Sequence, residues 1–408
     1  MKLIVTEAHD FVGSRLVRHL AEEGHELLLL DHDPAAIKTL FSDMDLAVAD
    51  YDCVDKERLA GYDCCLHLTR RDSDGTGEDA DYVRDNVELF AALCRKLVKA
   101  GVKRQVYLST IRADEHDSAP YGRSKWLAEQ TLKSICSEQG ACTPIILRPA
   151  YPHAKPYRDR LSWLNALPGF LADGLFGLIA ALKPVVDYPA LENAIDRVLV
   201  EDLDPRRQMI PLSNRQMGNG FYHALHWCID MSFVLAVVCL LWWLFPLMFV
   251  LIRFDSPGPV IFRQARVGKG GRVFTCYKFR TMKEDTKVAA THEVSRSSVT
   301  RIGGFLRRSR IDELPQIWNI LCREMSLVGP RPCLPKQEEL VNWRRDLGVL
   351  DSLPGITGFA QIQNIDMSDP QKLAHVDADY VARRTVLLDI RIILATVLGR
   401  GMKDYNAA

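Results

Sequence analysis

Several things are scarce in this chain, and each scarcity removes a class of function. Neither charge is in excess: 52 Lys and Arg balance 52 Asp and Glu over 408 residues. The chain as a whole therefore lacks the basic signature of a nucleic-acid binder, and no nucleic-acid partner is expected. The 11 cysteines are scattered; Cys64 and Cys65 are adjacent, and no CxxC pair with metal spacing occurs. That odd count argues for reduced thiols packed in cores. The opening Met1-Lys2-Leu3-Ile4-Val5 is too short and too soon acidic for a secretory leader. Long apolar runs are few as well. One, from about Cys228 to Ile252, reaches the length of a membrane crossing.

What is present falls into two halves, as the length allows. Residues 1–150 alternate strands and helices. Lys2 to Thr6 reads as a strand, Phe11 to Glu23 as a helix, Glu26 to Leu30 as a strand ending in Asp31, and Gln105 to Ser109 as a later strand. This pattern predicts an α/β fold with a doubly wound, Rossmann-like parallel sheet. Tyr121 and Lys125 have YxxxK spacing, which puts both side chains on one helical face.

The apolar run contains Pro246, which removes a hydrogen bond and kinks a helix. Both flanks are basic: Arg206, Arg207 and Arg215 before it, Arg253, Arg263 and Arg266 after it. The positive-inside tendency keeps both flanks in the cytoplasm. A helix that enters, breaks at Pro246 and returns meets that demand; an ordinary span with a tolerated proline is the competing reading. From Arg253 to Arg310 bases (Arg263, Arg266, Lys269, Arg272, Lys278, Arg280, Arg301, Arg307, Arg308) outweigh the acids Asp255, Glu284, Asp285 and Glu293. Beside an apolar segment this favours lipid headgroups and phosphates as partners. The stretches 299–308 and 386–394 are candidates for the membrane surface or for core helices.

The most informative stretch is Ser309-Arg310-Ile311-Asp312-Glu313-Leu314-Pro315-Gln316. Pro315 suits a first helical turn, and Leu314, Ile317, Trp318 and Leu321 predict one apolar helical face. A carboxylate at a helix start stays ionised and is able to attack phosphorus or hold a metal. Taken alone the pair reads as a cap.

Its surroundings reverse that reading. Asp255-Ser256-Pro257-Gly258-Pro259 through Gln264, Arg266-Val267-Gly268, and Tyr277-Lys278-Phe279-Arg280-Thr281-Met282 precede it. Met325 through Val328-Gly329-Pro330-Arg331-Pro332 and Leu353-Pro354-Gly355-Ile356-Thr357-Gly358-Phe359-Ala360-Gln361 follow. In this order the motifs, over about 220–400, resemble the bacterial sugar transferases, monotopic phosphoglycosyl transferases. The resemblance implies transfer of a phosphosugar from a UDP-sugar to a membrane polyprenyl phosphate of undecaprenyl type. Asp312 would be the nucleophile, UMP the leaving group, and Glu313 a Mg²⁺ ligand, in a small α/β domain with amphipathic interfacial helices. Arg310, Lys278, Arg280 and Arg331 are expected on substrate phosphates. Arg383, Arg384 and Asp389 fall where the family has functional charges, Asp389 as a further metal ligand. The resemblance also implies a re-entrant helix, the bacterial inner membrane with both domains on its cytoplasmic face, and a start to surface-glycan assembly. Asp230 matches a family acid expected at the interface. The family's serine before the proline is Phe245 here, and its glycine-acid turn is Cys322-Arg323-Glu324.

The YxxxK helix, with Ser109, Thr110 and Arg148-Pro149, resembles the extended short-chain dehydrogenase/reductases, the NAD-dependent epimerases and dehydratases. There the tyrosine is the acid/base and the lysine lowers its pKa. The family's glycine-rich turn reads Thr6-Glu7-Ala8-His9-Asp10-Phe11-Val12-Gly13 here, with only Gly13 kept and carboxylates where phosphates would sit; Asp31 is kept for a ribose hydroxyl. The domain is therefore read as degenerate, with NAD(P) a doubtful cofactor. The alternatives left open are a scaffold, a regulatory nucleotide-binding domain and an active enzyme that modifies the UDP-sugar. The related folds also leave a homodimer open. The expected boundaries are 1–210 for this domain, 211–220 for a linker, 221–254 for the membrane helix and 255–408 for the transferase.

Overall fold

A computed structural model of the chain describes residues 1–68, 82–115, 120–140, 142–157, 159–201, 209–283 and 299–399. Arg206, Arg207, Glu284, Asp285 and Glu293 lie outside the described residues. The chain forms two compact units: Met1–Pro168 with Pro184–Asn214, and Gly169–Lys183 with Arg215–Ala408. The stretch Gly169–Lys183 falls inside the expected 1–210, yet it packs with the second unit.

The first unit is built on a seven-stranded sheet. Its strands are β1 (Lys2–Thr6), β2 (Glu26–Asp31), β3 (Ala47–Asp50), β4 (Cys64–His67), β5 (Arg104–Leu108), β6 (Thr143–Pro149) and β9 (Met209–Leu212). The order is β3-β2-β1-β4-β5-β6-β9, parallel throughout. β7 (Tyr151–His153) and β8 (Val185–Asp187) form a separate parallel pair. Leu3, Ile4 and Val5 are buried on both faces, and the same holds along β2; continuous apolar strands are what a sheet covered on both sides requires. The first helix, Phe11–Glu22, starts where Asp10 accepts from Gly13 N–H. The chain order reverses between β1 and β4, the switch point where open α/β sheets bind ligands.

The second unit has an antiparallel hairpin of β10 (Ile261–Val267) and β11 (Val273–Phe279), pairing Phe262 with Lys278, and a short parallel pair of β12 (Ser326–Val328) and β13 (Gly355–Thr357). Asn219 caps the helix Gly220–Leu241 by accepting from Tyr222 N–H. That helix breaks at Trp242 and Trp243, and a second helix runs Leu244–Asp255 with Pro246 in its first turn. The break falls at the residues whose carbonyls a proline four positions on displaces. Phe245 N–H instead bonds Trp242 O at 3.2 Å. The Phe245 ring stacks toward Phe279 at 5.6 Å, so the aromatic that replaces serine fills space against β11.

Both limbs of the broken helix return to one hairpin. Val234 of the first limb packs with Phe274 and Cys276, and Met248 and Ile252 of the second pack with Phe279. Phe274, Cys276 and Phe279 all belong to β11. Between them, Leu235, Val238, Leu240, Trp242, Trp243, Phe249 and Val250 are exposed.

Candidate functional site

Asp312 and Glu313 lie in a 3-10 turn, Ile311–Gln316, followed by a short α-helix, Ile317–Leu321. The expected apolar face is only partly inward: Leu314 and Ile317 are half-buried and Trp318 and Leu321 exposed, while Ile320, outside that face, is buried. The turn is held on β11 by Asn319, a residue the sequence reading passed over. Its side chain accepts from Tyr277 N–H and donates to Thr275 O, copying a strand partner. Arg310 enters the turn with φ 57, reversing the chain after the helix Arg301–Ser309 so that both carboxylates point into protein. Both are buried.

That geometry brings three expected residues together. Lys278 Nζ donates to Glu313 Oε1 at 2.7 Å, and Arg331 Nη2 lies 3.7 Å from the same oxygen. Burial pushes Asp312 up to about 6, against the pull of the Lys278 charge. Burial acts the same way on Glu313, but Lys278 and Arg331, helped by Arg310, outweigh it and hold Glu313 below the ordinary carboxylate range. Neighbouring cations, rather than a helix end, keep Glu313 ionised, while burial raises Asp312. Arg307 also acts on Asp312 and donates to Thr281 Oγ1. The sequence named it only within a basic run; its place five residues before Asp312 was the available signal.

Arg331 is placed by close backbone approach. A Cβ on Gly329 would collide with Leu353 O, one on Gly355 with Gly329 N, and one on Gly358 with Gly329 O. The two motifs that follow the acidic turn thus meet backbone to backbone, which only glycine permits.

Other expected residues go elsewhere. Arg280 lies just past β11, and its guanidinium donates to Ser256 O and Pro257 O at 2.6 Å each; it ties down the end of the second helical limb, whereas Lys278 reaches Glu313. Arg384 donates to Arg215 O and stacks over Tyr222, and Arg383 lies over the Phe359 ring. Asp389 is fully buried and takes hydrogen bonds from Tyr222 and Tyr380 hydroxyls, with His226 Nδ1 at 2.9 Å. The site assembled at Asp312 and Glu313 therefore does not include it: its oxygens serve a structural network. Asp230 is likewise buried within the protein, accepting from Ser326 Oγ and Leu327 N–H at 2.8 Å. His226 Nε2 closes the same network on Ser326 Oγ at 2.8 Å. Arg323 sits at φ 58, which explains why a glycine suits that turn.

The donor set fits a hard divalent ion. Among the described residues Asp312 Oδ1 is buried without a hydrogen-bond partner, and an ionised Glu313 adjoins it; Mg²⁺ is usually held by one or two carboxylates plus substrate phosphates.

In the first unit, Lys125 is fully buried, donates to Leu108 O at 3.0 Å and lies 5.9 Å from the Tyr121 ring centre. Ser109 does not serve that pair: its hydroxyl donates to Glu129 at 2.5 Å, and Glu129 also holds Arg148 through two bonds. At the sheet's switch point the residues of the turn after β1 pair with one another and with the end of β2. Asp10 occupies the helix start. Glu7, at φ 55, lies 2.8 Å from His32, His9 is 3.2 Å from Asp31, and His32 is 2.8 Å from Asp52. Gly13 packs against Ala8, Leu68 and Asp10. These residues do not fit a pyrophosphate, because buried carboxylates repel it and stand where its oxygens would bond.

Comparison with known proteins adds the following. Residues 221–401 match the family "Bacterial sugar transferase", and residues 3–160 match the "NAD dependent epimerase/dehydratase family". A UDP-glucose:undecaprenyl-phosphate glucose-1-phosphate transferase of Xanthomonas campestris pv. campestris is 41% identical over 180 residues, 40% of this chain and 37% of that protein. The exopolysaccharide production protein PSS of Rhizobium leguminosarum bv. phaseoli is 39% identical over 165 residues, 36% of this chain and 81% of that protein. A solved UDP-glucuronic acid 4-epimerase from Bacillus cereus in complex with NAD is 18% identical, covering 52% of this chain and 77% of its own, with a TM-score of 0.42. The chain spans between 30% and 37% of the length of the first curated relatives it matches.

Proposed function

Because the chain belongs to the bacterial sugar transferase family, we propose that it transfers a phosphosugar from a UDP-sugar to a polyprenyl phosphate in the membrane, starting assembly of a surface glycan. The observation that carries this reading is the buried Asp312–Glu313 pair braced by Lys278 and Arg331. An Asp312 oxygen attacks the phosphorus that bears the sugar. The bond from that phosphorus to the bridging oxygen breaks, and UMP leaves with the electron pair. A phosphate oxygen of the polyprenyl phosphate then attacks the same phosphorus, breaks the bond to Asp312 and yields the polyprenyl-diphosphate sugar. Splitting the transfer lets one carboxylate serve two different partners in turn. Lys278, Arg310 and Arg331 surround the pair and stabilise charge as it shifts onto the leaving phosphate. Glu313 and Asp312 would hold a Mg²⁺, which would further neutralise the diphosphate.

The apolar helix pair supports a re-entrant seat in the bacterial inner membrane, with both units on the cytoplasmic side. Its limbs both end on β11, so a straight crossing would have to pull one limb from its packing. Arg280 then fixes the exit at Ser256 and Pro257.

The test is intact-protein mass spectrometry with Mg²⁺ and a panel of UDP-sugars, without lipid acceptor. A phosphosugar-sized adduct that disappears in Asp312→Asn is the expected result. UMP release and lipid product that persist in Asp312→Asn would overturn the aspartyl mechanism.

A further inference from the structure

Helix Gly169–Leu182 lies between the two family matches, in neither of them. It is built the wrong way round for a helix in water. Its buried positions are small, Ala172, Ala180 and Ala181. Its large residues face out: Leu171, Leu175, Leu178 and Leu182 are between 36% and 45% exposed, and Phe170 is 77% exposed. The leucines are spaced four, three and four apart, so at 3.6 residues per turn they form one stripe roughly 60° wide. Water-facing helices put such residues inward.

This helix is fixed to the foot of the apolar helix Gly220–Leu241. Asn219 Nδ2 donates to Gly177 O at 2.9 Å, and the Phe221 ring lies against Gly177, where a Cβ would come within 3.1 Å of it. Ala181 packs with Tyr222 and Val386. Val386 opens the helix Val386–Val397, which also exposes an apolar stripe, Leu387, Ile390, Leu394 and Val397. With 14 residues the helix is about 21 Å long, short of the ~30 Å hydrocarbon core.

We propose that Gly169–Leu182 is a second membrane contact, lying in the plane of the bilayer interface with its leucine stripe among the acyl chains. The occupant is lipid because the stripe carries no charge and its helix packs on the same body that presents the exposed apolar limbs 235–254. An in-plane helix of this kind gains binding from buried apolar area without spanning. The inference rests on the re-entrant reading above and extends it to a segment ahead of the transferase match.

The experiment uses the full chain in vesicles of phosphatidylethanolamine and phosphatidylglycerol, 3:1. A photoreactive p-benzoylphenylalanine is placed at Phe170 in one preparation and at Leu240, on the apolar limb, in another. Lipid-mass adducts at both sites are the expected result. Adducts at Leu240 without any at Phe170 overturn the inference and leave the re-entrant reading intact. A crosslink from Phe170 to a second copy of the chain overturns it in favour of a dimer interface. Absence of adducts at both sites removes the re-entrant reading and the inference with it.

Discussion

Asp312 and Glu313 are neighbours in sequence with opposite proton affinities. Glu313 is lowered because Lys278 Nζ sits 2.7 Å away; Asp312 is raised by burial. Lys278→Met leaves a buried carboxylate without its nearest cation, and loss of a preorganised charge partner costs roughly 10²–10³ in rate. UMP release should therefore fall by that factor, while Lys278→Arg retains part of it. In the first unit, His67 is fully buried against Gln105 at 3.0 Å, and burial pushes it down to about 4. A histidine lowered in the folded state binds fewer protons than the unfolded chain below about pH 6.5. Its contribution is thus constant above that pH and is lost as pH falls toward 4, on the order of 3 kcal/mol in all. Urea midpoints between pH 7 and 4.5 should drop accordingly, and His67→Asn should flatten that part of the profile. Both residues were visible as letters; the burial that sets their behaviour was not.

At the scale of elements, the reading of strands and helices from apolar period held for β1, β2 and the helix Phe11–Glu22, because those patterns are local. It failed at Ile311–Gln316, which is a 3-10 turn: Arg310 in the left-handed region sets the chain's direction there, and no periodicity encodes that. The motif glycines act between elements. Gly355→Ala forces a Cβ into Gly329 N, and overpacking of this kind costs about 1–3 kcal/mol. Thermal unfolding should show that loss, and UMP release should fall with it through displacement of Arg331. Gly304 is the control: a Cβ there meets nothing among the described residues within 4 Å, so Gly304→Ala, in a helix interior, should be neutral or stabilising by up to about 1 kcal/mol.

At the scale of the whole molecule, two predictions follow from how each unit is filled. Glu7, Asp10 and Asp31 occupy the dinucleotide position with their own partners, so calorimetry of the full chain with NAD⁺ or NADH should show no saturable heat. A saturable isotherm would restore the sugar-modifying reading of the first unit. The proposed re-entrant seat, supported by the packing of both helical limbs on β11, puts both units on one side of the membrane. Membrane-impermeant protease added to cytoplasmic-side-in vesicles should therefore cleave neither unit, and added to inverted vesicles should cleave both. The sequence alone determined the family, the two halves, the acidic pair and the loss of the glycine turn, because each is a matter of residue type at fixed spacing. Tertiary structure decided which cations reach Glu313, that Arg280 and Asp389 serve the scaffold, and that Gly169–Lys183 packs with the transferase. Those outcomes depend on approaches between segments tens to hundreds of residues apart, and spacing along the chain carries no record of them.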